Sequence, residues 1–129
     1  MKPVTRNLIL FTALITMFWA CKKENSSATS LTGKWKLVQS KVGTGGPGQW
    51  VAVPAEQSTY VQFDANGKLQ GTAFTGYTSY MVKDSVTLIF SKDDNTKENY
   101  AYSINNGLLD LSPVGPIFCT EGCTYRFSK

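Results

Sequence analysis

From residue 33 onward the apolar and polar positions alternate with a period of two, which predicts strands rather than helices. Thr59, Val61 and Phe63 alternate against Tyr60, Gln62 and Asp64. Val86, Leu88 and Phe90 alternate against Thr87, Ile89 and Ser91, and Tyr100, Tyr102 and Ile104 repeat the pattern. The breaks carry turn chemistry: Asp64-Ala65-Asn66-Gly67 and Asn105-Asn106-Gly107 put Asn and Gly where positive φ is needed, and Lys92-Asp93-Asp94-Asn95 is a polar loop. About eight strands are predicted, at 33–42, 58–64, 68–74, 77–83, 85–91, 98–105, 108–112 and 122–128, with no helical stripe among them.

Short antiparallel strands joined in chain order by tight turns most simply close into an up-and-down barrel, because closure removes the sheet edges. A β-sandwich is the alternative. The expected fold class is therefore all-β, with Trp35, Leu37, Val61, Phe63, Leu69, Leu88, Phe90, Tyr100, Tyr102, Ile104, Leu109, Leu111, Tyr125 and Phe127 pointing inward. Burial of each is worth roughly 1.5 to 3 kcal/mol.

The pattern ahead of the strands is different. Lys2 and Arg6 precede a largely apolar run from Leu8 to Ala20 that contains no charge, the layout of an export signal. Thirteen residues make about 20 Å of helix, short of the roughly 30 Å of a bilayer core. Phe18-Trp19-Ala20-Cys21 resembles the lipobox of bacterial lipoproteins, with a small residue at the cut and a thiol immediately after it. The resemblance implies a signal peptide over 1–20, diacylglycerol and a further acyl (palmitate) chain on Cys21, and a location in the cell envelope, at the outer membrane. Trp19 is bulkier than that pattern prefers. Two or more acyl chains hold stably where one is marginal. Residues 22–30 contain no large apolar side chain and read, with Cys21, as a lipidated flexible tether spanning roughly 17 Å. The folded domain is then 31–129.

The chain has 129 residues, room for one domain, and is 12% aromatic and 17% charged, a balance that favours sheet. Lys2 and Arg6 would leave with the signal, so 11 basic residues face 9 acidic ones, too even for a nucleic-acid binder.

Gly33-Lys34-Trp35, opening the first strand, resembles the Gly-x-Trp signature of lipocalin-like barrels, and Arg126 lies in the last strand, where that superfamily often stacks a basic residue on the tryptophan. The resemblance covers 31–129 and extends to the small lipocalin-like domains of bacterial lipoproteins. It implies a barrel closed by pairing of first and last strands, with the guanidinium of Arg126 over Trp35. True lipocalins are longer, so a deep cavity does not follow from the likeness.

Gly43-Thr44-Gly45-Gly46-Pro47-Gly48 matches G-x-G-x-x-G, but Pro47 and the residues after it open no helix, and without a helix N-terminus no row of free amides holds a pyrophosphate. The segment is expected to be a loop of about 15 residues between the first two strands, a lid or a slack surface loop. No cofactor is expected. With Cys21 acylated, Cys119 and Cys123 form an even pair in an oxidising compartment, and Gly122 lets the chain turn back, so a local disulfide is expected. Histidine is absent, which removes the usual general base and makes a four-ligand zinc site unexpected. No pair of carboxylates sits in a motif that makes it converge, so no catalytic residues are assigned and an enzyme is not expected.

Binding remains, in two forms. A carrier or sensor would hold a small hydrophobic or aromatic ligand, with Trp50, Phe74, Tyr77 and Tyr80 near the barrel mouth as its contacts. Alternatively the barrel is filled, and its loops or outer face meet an envelope protein as an inhibitor or assembly subunit.

Overall fold

The computed structural model describes residues 30–43, 46–119 and 122–129. Cys21, the signal and most of the tether lie outside them. Nine strands follow in order: β1 (Gly33–Val42), β2 (Gln49–Ala52), β3 (Tyr60–Phe63), β4 (Leu69–Gly71), β5 (Ser79–Val82), β6 (Thr87–Ser91), β7 (Lys97–Asn105), β8 (Leu108–Gly115) and β9 (Thr124–Ser128). All pairings are antiparallel, in the order β4-β3-β1-β9-β8-β7-β6-β5. The ends of this sheet meet where Lys68 bridges Ser79, with the amide of Leu69 donating to Thr78 at 2.9 Å and that of Tyr80 to Gly67 at 2.8 Å. The fold is an all-β, up-and-down, lipocalin-like barrel, and β1 pairs with β9 as closure requires.

The second position of the ring is divided. β2 pairs with residues 39–42 of β1, β3 pairs with 33–36, and an excursion over 53–59 separates them. The segment expected to be a plain loop thus contributes a four-residue strand, Gln49–Ala52. β3, β6 and β9 are a few residues shorter than their patterns suggested, and β4 and β5 more so, β4 ending at Gly71 and β5 starting at Ser79. Between them residues 72–78 leave the sheet, and Phe74 packs into the barrel, 5.2 Å from the rings of both Phe90 and Tyr100 and about as close to Tyr125 and Phe127.

The core follows the period of two. Trp35, Val61, Phe63, Leu69, Leu88, Phe90, Tyr100, Leu109, Leu111 and Phe127 are buried, while Leu37, Tyr102, Ile104 and Tyr125 pack half-buried against them. Val86, in step with Leu88 and Phe90, is exposed, since it precedes β6 in the turn after β5. Large rings therefore fill the barrel's interior.

The two ends of the barrel differ. One holds Ser30, where the chain enters β1, with the turns at 64–68 and 105–108 and Lys129, whose Nζ donates to the Ser30 carbonyl at 2.9 Å. The opposite end holds Gly43, 46–48, the turn at 92–96 and residues 116–119 and 122–123, with Lys41 of β1 pairing Thr124 of β9 just below them.

Candidate functional site

β7 begins with a conflict between pattern and chemistry. Glu98 shares the inward parity of Tyr100 and is only 2% exposed. A carboxylate in such a place is costly unless it is bonded, and its Oε1 accepts the backbone N–H of Ile117 at 3.1 Å. That bond ties the chain after β8 to the start of β7. A few residues on, Cys119 and Cys123 form the expected disulfide, their Cα atoms 5.7 Å apart.

Between this disulfide loop and the 72–78 loop lies a cleft of about 460 Å³. Phe74 and Tyr77 wall it on one side, Phe118 and the disulfide on the other, with Tyr100, Tyr125 and Glu98 between them. Phe90 stacks on Tyr100 at 4.5 Å and holds that ring in place. Burial pushes the Tyr100 phenol far above its usual value, and the neighbouring Tyr77 and Glu98 add to the effect. The Tyr77 phenol is raised as well, first by burial and then by the Glu98 charge. Both hydroxyls therefore stay protonated as hydrogen-bond donors at neutral pH. At the rim, Ile117 and Phe118 are 65% and 72% exposed. A second hollow of about 380 Å³ lies across the disulfide, against Ser40 to Gly43 of the first strand's end.

The residues expected to contact a ligand do not stay together. Phe74 and Tyr77 line the cleft. Tyr80 instead sits edge-on to Phe63 with centroids 4.9 Å apart, and its hydroxyl donates to the Asp64 carbonyl at 2.8 Å, beside the β3–β4 turn. Trp50 is on β2, half-buried on the outside of the barrel, beneath Arg126.

That last contact corrects the expected closure motif. The guanidinium of Arg126 lies 3.9 Å from the Trp50 ring, not over Trp35. Its Nε and Nη2 donate to the two oxygens of Asp110 at 2.7 and 2.8 Å, and Nη1 reaches Gln39 at 3.4 Å. Side-chain parity is the reason. Phe127 points into the core, so its neighbour Arg126 must point out, whereas Trp35 is wholly buried inside. The Trp35 indole donates to the Leu31 carbonyl at 2.7 Å, and its cation is Lys129, with Nζ 4.9 Å from the ring. Gly33 lies under the same lysine: its φ is +123°, and a Cβ there would come within 3.3 Å of the Lys129 stem.

Glu98, Tyr100, Tyr125 and Phe118 were not among the expected ligand contacts. For Glu98 the signal was available, since an acidic residue two positions before Tyr100 must share its face. For Phe118 there was none, because the chain between β8 and β9 has no periodicity. No family model and no curated protein matches the chain.

Proposed function

We propose that this chain is a lipid-anchored lipoprotein of the cell envelope, attached through Cys21, whose lipocalin-like barrel carries or senses a small apolar or aromatic ligand. The observation that supports the ligand is the cleft of about 460 Å³, within the size range of small-molecule sites and walled by Phe74, Tyr77, Tyr100 and Phe118. Because the core is filled, the ligand sits between the two loops at the rim rather than deep in the barrel. Native mass spectrometry of the mature protein purified from its host in mild detergent tests this reading. A retained small molecule at one per chain, lost in Tyr77→Ala, is the expected result; its absence from the wild-type protein would overturn it.

The second reading is a protein-interaction module. What favours it is the exposure of Ile117 and Phe118 side by side on one loop, since adjacent exposed apolar side chains mark contact surfaces more often than isolated ones do. Here the same spectra would carry a stoichiometric protein partner and no small molecule.

A further inference from the structure

The cleft has one property that an apolar site does not need. Of the described residues that line it, Glu98 alone is charged, and it is the only charged side chain buried among the described residues. Its bond from the Ile117 amide to Oε1 comes from a neutral donor, and no salt bridge to it forms among the described residues. The rings of Tyr77, Tyr100, Phe74 and Tyr125 line the same cleft, and the Glu98 charge reaches the phenols of Tyr77 and Tyr100. Aromatic faces carry negative electrostatic potential and attract cations, most strongly where water is displaced. Tyr77 already takes one, with Lys92 Nζ 5.3 Å from its ring. A carboxylate in a cleft lined by aromatic rings suits one ligand chemistry above others, an ammonium group joined to an aromatic or apolar body.

We propose that the cleft selects organic cations, with the ammonium between Glu98 and the Tyr77 and Tyr100 rings and the apolar body against Phe74 and Phe118. This deepens the small-ligand reading and rests on it. The Glu98 charge then has two duties: one oxygen fastens the chain after β8, and the negative field chooses the ligand's charge. Anionic ligands of the same shape are disfavoured, because a second negative charge beside a buried carboxylate is poorly screened.

Three probes of one skeleton separate the inference from the reading beneath it: tryptamine, which is cationic, 3-ethylindole, which is neutral, and indole-3-propionate, which is anionic. Calorimetric titration of the mature protein should give tryptamine the tightest binding, by about tenfold over 3-ethylindole, with indole-3-propionate weakest. Glu98→Gln keeps a carbonyl oxygen for the Ile117 amide and should bring tryptamine to the level of 3-ethylindole while leaving the neutral probe within about twofold. Should that variant fail to fold, Tyr77→Leu serves, and should weaken tryptamine more than 3-ethylindole.

Equal binding of the three probes, tighter binding of the anion, or a tryptamine preference that persists in Glu98→Gln would each overturn cation selection while leaving a small-ligand cleft in place. If none of the three binds at millimolar concentration, cation selection and the small-ligand reading fail together.

Discussion

Arg126 and Trp50 show how much a single side chain decides on the outside of this barrel. The guanidinium bridges three strands, since Asp110 is on β8, Gln39 on β1 and Trp50 on β2. A fork-to-fork pair with a carboxylate fixes the plane of the guanidinium, and the flat indole then stacks on it. Arg126→Lys keeps the charge but loses both the fork and the stack, so it should lower the denaturation midpoint almost as far as Arg126→Ala does. In a cycle with Trp50→Ala, the double mutant should cost less than the two singles together, because they share one contact; additive costs would mean the stack contributes nothing. Inside the cleft, Tyr100 makes a pH-dependent contribution. Its folded pKa lies above the unfolded value of about 10, so its share of stability is complete below that pH and is lost as pH rises through the folded value. Chemical denaturation at about pH 8 and about pH 11 should find the wild-type protein weaker at the higher pH, and Tyr100→Phe should flatten that difference.

At the scale of elements, the strands legible from sequence are those whose alternation states a parity, namely β1, β3, β6, β7, β8 and β9. β2 was not, because a four-residue strand following Gly and Pro carries too short a pattern to separate from loop. The segment over 72–78 misled in the opposite sense: Phe74 and Tyr77 look like strand residues, yet they leave the sheet and close the barrel from above. The cleft was half legible for the same reason, with these two rings found by their aromatic character and Glu98 overlooked despite its parity. Strand pairing alone brings Arg126 near Trp35, but the parity of β9 turns its side chain to the outer face, where Trp50 lies. Phe74 ties its loop to the core through four rings, so Phe74→Ala should cost about 3 kcal/mol despite lying outside any strand, read from denaturant unfolding. A loss below about 1 kcal/mol would show that the loop closes without it.

For the whole molecule the first question is attachment. Cys21→Ser should leave either an uncleaved precursor or a water-soluble exported form, distinguished by mass and by fractionation of membranes. A variant found in the membrane at its mature mass would refute lipid anchoring. The barrel's polarity then acquires a meaning. Ser30 and Lys129 lie at one end and the cleft at the other, and β7, nine residues long and tilted as barrel strands are, gives a height of roughly 20 Å between them. An anchor at Cys21 would attach the chain on the side that holds Ser30, so the cleft would lie at the end farther from the point of attachment. With the lipid on Cys21, a ligand arriving through water would reach the cleft more readily than one confined to the membrane plane, which would meet it only when the tethered barrel tips over.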